Sequence, residues 1–168
     1  MAIEIERRFL VRDPSAAIRG SIAQPASIIQ GYFGCIDGLR VRVRILLDSR
    51  TGCRAFLTFK GARRGLCRLE FEYPLALDRA RRALDTLPAA RIIRKMRHEV
   101  PYHNGVSWSV DQFEGANAGL VLAEVELCHP DQEVELPPWV GKEVTFDRRY
   151  GNSRLAYAPI RRHFADVA

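Results

Sequence analysis

EIERRFLV, residues 4–11, alternates in character from one residue to the next. In an extended chain successive side chains point to opposite faces, so Glu4, Glu6, Arg8 and Leu10 share one side and Ile5, Arg7, Phe9 and Val11 the other. One side is mostly apolar, and the other carries two carboxylates and a guanidinium. The fold turns on whether that charged side meets water or meets something that needs charge.

The same alternation runs through the chain. Eight segments read as strands bounded by turn residues: 3–11, 27–34, 39–47, 53–60, 66–74, 91–101, 105–113 and 120–128. In LRVRVRIL, Arg40, Arg42 and Arg44 oppose Val41, Val43 and Ile45; in CRAFLTFKG, Thr58 and Lys60 oppose Leu57 and Phe59. In RLEFEYP, Arg68, Glu70 and Glu72 oppose Leu69, Phe71 and Tyr73, and in RIIRKMRHEV, Lys95, Arg97 and Glu99 oppose Met96 and Val100. Asp111 opposes Trp108 and Val110, and Glu124 and Glu126 oppose Ala123, Val125 and Leu127. DPSAAIRG reads as a capped short helix, LDRARRALDTLPAA as a second one with Asp78 as its N-cap, ending before Pro88. After Glu133 the chain turns through Pro137 and Pro138 into one or two short helices.

This is an α+β chain, mainly antiparallel β, and the pattern leaves two sheets or a closed barrel open. A solvated outer face gives the same alternation. Rows of arginine and paired E-x-E glutamates, however, stack like charges, which costs energy unless counter-charges or ligands meet them. With the charged faces turned inward the interior must be wet and occupied, because dry burial of unpaired ions costs several kcal/mol each. Carboxylates beside arginines and lysines suit a hard cation, Mg²⁺ or Mn²⁺, carrying a phosphate-rich anion.

The totals agree. The 168 residues, 47% of them hydrophobic, make a single domain over 1–168, and a net charge of +6 with pI near 9.5 points to an anionic partner. Lysine occurs only at 60, 95 and 142, so bidentate guanidinium contacts dominate. Cys35, Cys53, Cys67 and Cys128 form no C-x-x-C pair, and His98, His103, His129 and His163 have no metal-ligand spacing. No stretch approaches the roughly 20 apolar residues of a membrane span, and the chain reads as cytoplasmic, with no membrane partner. A homodimer is left open.

At these residues the chain resembles the CYTH superfamily, the triphosphate tunnel metalloenzymes. EIERR at 4–8 is similar to the family's E-x-E-x-K opening. QGYF at 30–33, RVR at 40–42, FLTFKG at 56–61, RLEFEYPL at 68–75, KMR at 95–97, WSVDQFEGANAGLVLAEVEL at 108–127, ELPPWVGKEVT at 135–145 and RRYGNSRLA at 148–156 follow in order. The resemblance implies an eight-stranded closed tunnel barrel with short flanking helices and the charged faces inside. It implies Mg²⁺- or Mn²⁺-dependent hydrolysis of a triphosphate-containing small molecule, such as inorganic tripolyphosphate, thiamine triphosphate or a nucleoside triphosphate.

Carried over by position, Glu4, Glu6, Glu124 and Glu126 become the metal-side carboxylates, with Asp111 assisting. Arg40, Arg42, Lys60, Lys95 and Arg97 become the phosphate clamp, with Arg149 added, and Tyr32 stands near the attacking water. Glu70 either orients metal or water or partners Arg42 or Arg68. The departure from the motif is Arg8, which keeps a charge but gives up no proton. That leaves a non-catalytic binder of polyphosphate or triphosphorylated metabolites as the rival reading, with an adenylate cyclase on the same scaffold behind it. Nucleic acid is not an expected partner, because the aromatics fall mainly opposite the charged faces.

Overall fold

The computed structural model describes residues 2–160; Met1 and residues 161–168, His163 among them, lie outside it. The element order is β1 (Ala2–Val11), α1 (Pro14–Arg19), β2 (Ala26–Ile36), β3 (Leu39–Asp48), β4 (Gly52–Arg64), β5 (Cys67–Leu75), α2 (Leu77–Asp85), β6 (Ile92–Pro101), β7 (Ser107–Phe113), β8 (Val121–Glu126), β9 (Val140–Glu143) and α3 (Asn152–Tyr157). All strand pairings are antiparallel. The sheet runs β5-β4-β3-β2-β6-β7-β8-β1, and β1 also pairs with β5, which closes the eight strands into a ring.

β1 closes the ring by dividing its length. Ala2–Ile5 pair with β5, while Glu6–Leu10 pair with β8. Where β5 leaves that edge, β9 takes it, pairing with Phe9 and Val11. β9 is a ninth strand where the sequence reading places only turns and helices. VGKE is four residues long, follows Pro137 and Pro138 and has no apolar alternation, so its conformation comes from the edge of β1 that it covers. A second correction concerns α2: its N-cap is Ala76, not Asp78. Asp78 lies in the first turn, where its charge meets the positive end of the helix dipole, and it accepts a 2.6 Å hydrogen bond from Arg82.

The outward faces make most of the core. On β1, β7 and β8, Phe9, Val110, Ala123 and Val125 pack around Trp108, whose ring meets Phe9 and Trp139 edge-on at centroid distances of 5.5 and 5.6 Å. α2 lays Ala80 and Leu84 over Val43 and Ala55. A side chain at Gly31 would meet Leu84 and Leu87 within 2.6 Å, so the glycine of QGYF lets these leucines approach the strand. The third cluster is inside the ring. There Leu10, Tyr32, Ile93, Phe113 and Leu122, one end of the inward faces, pack against Leu155 and Ala156 of α3. α3 thus covers part of one tunnel end, and the charged stretch beyond it lines a cavity. No described helix is long and apolar enough to cross a membrane.

Candidate active site

The ring encloses a cavity of about 490 Å³ lined by Glu4, Glu6, Arg8, Tyr32, Arg40, Arg42, Lys60, Lys95, Arg97, Glu124 and Glu126. These side chains occupy the inward faces of β1, β2, β3, β4, β6 and β8. Gln30, Arg44, Arg68, Glu70, Glu72 and Ser153 line it too. Arg44, Arg68 and Glu72 share the charged faces read in the sequence; Ser153 arrives with α3, which no strand pattern announces.

The walls differ in how their charges are balanced. On β6 and β7, buried Lys95 donates to Asp111, and the Arg97 guanidinium reaches both Asp111 oxygens at 2.7 Å and Glu124 Oε2 at 2.9 Å. Both Asp111 oxygens are therefore taken by cations. Asp111 is itself buried behind the clamp, outside the cavity lining, and anchors Lys95 and Arg97. Burial would raise the Asp111 carboxyl, but Arg97 and Lys95 hold it below the usual range. Burial pushes the Lys95 ammonium down to about 8 in spite of Asp111. On β3 and β5, Arg42 Nη2 lies 3.1 Å from Thr58 and 3.5 and 3.3 Å from Glu70 and Glu72, which places Glu70 as a partner of Arg42. Lys60 Nζ bridges Glu4 at 2.6 Å and Glu70 at 2.8 Å.

Arg8 occupies the middle of the carboxylate wall. It donates from Nη2 to Glu6 Oε1 at 2.9 Å and from Nε to Glu124 Oε1 at 2.7 Å. Burial opposes its charge, and Glu124 and Glu6 more than restore it, so Arg8 is a fixed cation. The same partnership, with Lys95 and Arg97, holds Glu124 well below the carboxylate range despite its burial. Tyr32 accepts a 2.7 Å hydrogen bond from Gln30 Nε2, and burial pushes its phenol up to about 12.

Four buried polar atoms in this lining make no hydrogen bond: Arg42 Nε, Arg44 Nε, Arg68 Nε and Glu4 Oε2. Arg68 Nε and Glu4 Oε2 face each other at 3.9 Å, too far to satisfy either. Glu126, paired across the strands with Glu6 and exposed at the end of β8, has no ion pair among the described residues, and partial desolvation and then Glu4 push its carboxyl up. An orphaned carboxylate oxygen and a carboxylate repelled by its neighbours fit a divalent cation. No three of the described acidic, His or Cys residues already stand in ligand geometry. Lys60, Arg8 and Arg63 hold Glu4, Glu6 and Glu124, and a cation has to displace some of these contacts.

Arg149 is not brought in. Its guanidinium is exposed and bound to Asp147 at 2.6 Å, on the rim beside the tunnel mouth. Sequence reasoning missed Arg63, which reaches Glu6 from β4. Strict alternation from Lys60 turns Arg63 outward, but a bulge between Lys60 and Arg63 sets two residues of β4 against Leu69 and shifts the phase.

The CYTH domain model matches residues 2–159. An inorganic triphosphatase from Acetivibrio thermocellus is 38% identical over 159 residues, covering 95% of this chain and 96% of its own length. One from Nitrosomonas europaea is 33% identical, covering 91% of this chain and 96% of its own. A crystal structure of an inorganic triphosphatase superposes with a TM-score of 0.66 at 30% identity, over 94% of this chain and 97% of that one. With the family model spanning nearly the whole chain and the ring of strands matching a solved relative, this chain belongs to the CYTH domain family.

Proposed function

We propose that the protein hydrolyses a triphosphate held in the tunnel, with inorganic tripolyphosphate as the leading substrate and Mg²⁺ or Mn²⁺ as the cofactor. The observation that carries this is the set of orphaned groups: three buried guanidinium N–H donors and one buried carboxylate oxygen without partners. A buried unsatisfied polar group costs about 1–3 kcal/mol, more when charged. A phosphate chain offers acceptors to the first kind and its counter-cation satisfies the second. The relatives named as inorganic triphosphatases support the reading.

Arg40, Arg42, Arg44, Lys60, Lys95 and Arg97 hold phosphate oxygens and fix the chain in line, with Asp111 setting the positions of Lys95 and Arg97. Glu4, Glu6, Glu124 and Glu126 are the residues that would hold the cation. The chemistry it supplies when bound is neutralisation of charge at the transferring phosphoryl group and activation of water. Arg8 is no general base, and Tyr32, neutral over the physiological range, orients water as a hydrogen-bonding hydroxyl.

The test is phosphate release from tripolyphosphate with Mg²⁺, with Mn²⁺ and with EDTA. Release that depends on the metal is expected. Tight tripolyphosphate binding with no release under any condition would replace hydrolysis with the binder reading that Arg8 motivates.

A further inference from the structure

Arg63 reaches the tunnel through the β4 bulge, from a strand end where neither alternation nor the matched motifs place an inward cation. Its Nη2 donates to Glu6 Oε1, and its Nη1 lies 3.4 Å from the Glu6 carbonyl oxygen. That same Oε1 already accepts from Arg8 at 2.9 Å. Two guanidiniums therefore share one carboxylate oxygen. Arg63 is also paired across the strands with Arg68, another cation, and burial, then Arg68 and Arg8, bring its own pKa down despite Glu6.

The place matters as much as the pairing. Arg63 lines a vestibule of about 810 Å³ that joins the tunnel, sharing Arg8, Tyr32, Arg40 and Arg68 with it. Its side chain is 18% exposed, against 7% for Glu6, so the guanidinium is the member of the pair that an entering anion can reach. A polyanion whose outer phosphate reaches the vestibule offers Arg63 several charged oxygens in place of a share in one.

Resting on the reading that triphosphate occupies the tunnel, we propose that Arg63 is a further substrate-binding residue, exchanging Glu6 for an outer phosphate oxygen as the anion enters. The exchange leaves Glu6 with Arg8 alone, and so frees a carboxylate on the wall where a cation fits. Substrate capture and the opening of Glu6 are then one movement.

The test is calorimetric binding of tripolyphosphate to the full chain in EDTA, which needs neither metal nor turnover. Arg63→Ala should weaken binding about tenfold, the loss of one charge-assisted contact, and Arg63→Lys should recover part of it. Glu6→Gln should tighten binding by releasing Arg63, and that gain should shrink in the Glu6→Gln/Arg63→Ala double variant. A general electrostatic effect of removing Glu6 would survive the double substitution undiminished, and that result overturns the proposal. So does Arg63→Ala binding like the unmodified protein. If the unmodified protein itself binds no tripolyphosphate, the tunnel reading fails first and takes this inference with it. Unchanged thermal unfolding of each variant shows that the comparisons are made on folded protein.

Discussion

The wall built by β6 and β7 and the wall built by β1 and β8 carry the same kinds of side chain and balance them differently. On the first, Asp111 is enclosed by Lys95 and Arg97, and each charge has a partner at hydrogen-bonding distance. On the second, Glu126 stands opposite Glu6 without an ion pair among the described residues, and Glu4 keeps one oxygen unbonded. A buried charge is tolerated when paired, as Asp111 is, while the partly exposed Glu126 is held among like charges that repel it. The first wall is consequently part of what holds the ring together, and the second retains a deficit of positive charge that a bound cation would make good. Substitutions should separate these two roles.

The largest effect expected on turnover is at the underpaired wall. Glu126→Gln removes a carboxylate that its neighbours repel, so chemical denaturation should show stability unchanged or raised. Metal-dependent phosphate release should nevertheless fall by more than about a thousandfold, the scale on which a cation's contribution to charge stabilisation is lost. Full activity in this variant would remove Glu126 from the metal-side set.

The paired wall should respond in the opposite sense. Asp111→Ala leaves Lys95 and Arg97 buried without their shared counter-ion, and unfolding in urea should show a loss of about 3–5 kcal/mol. A loss below about 1 kcal/mol would mean that water or Glu124 replaces the carboxylate and that the wall is not structural. The clamp arginines grade between the two roles. Arg97→Ala should cost both stability and activity, because Arg97 also ties Asp111 to Glu124. Arg40, whose guanidinium meets Ser153 at 3.2 Å in an exposed contact, should cost activity alone. Each should lower kcat/KM by about one to three powers of ten.

Both walls were legible in the sequence wherever strands ran in phase. Alternation grouped Glu4, Glu6 and Arg8, Arg40 and Arg42, Lys95 and Arg97, and Glu124 and Glu126 on charged faces, the family resemblance turned those faces inward, and the ring brings all of them to one cavity. Legibility ended where the phase broke or the strand pattern ceased. The bulge after Lys60 reversed the face of Arg63, and nothing in GARR announces which residue is doubled. Arg149 sits in a short turn before α3, where no periodicity fixes direction, and its own neighbour Asp147 captured it. β9 depends on a long-range pairing with Phe9 and Val11 that four residues cannot signal alone. The partner of Asp111 was equally hidden: alternation shows which way a side chain points, but the cross-strand pairing of Arg97 with Asp111 comes only from the ring's register.

The smallest and most informative effect should come from Arg8, in the middle of the carboxylate wall. It ties Glu6 to Glu124, and Glu124 in turn is held by Arg97, so Arg8 links the underpaired wall to the paired one. Arg8→Lys replaces a fork that spans two carboxylates by a single ammonium on a shorter head, which can hold one of them closely but not both in the same geometry. One carboxylate is then free for a cation. The expected result is a rise in kcat of severalfold with little change in KM, because the positive charge that helps bind the anion stays in place. Arg8→Ala should instead lower kcat and raise KM, since it removes that charge and leaves Glu6 to Arg63. The comparison would break if Arg8→Lys lowered kcat while metal affinity, read by Mn²⁺ titration, stayed unchanged. Arg8 would then act on the phosphate itself, and the contrast between the walls would owe nothing to the guanidinium that joins them.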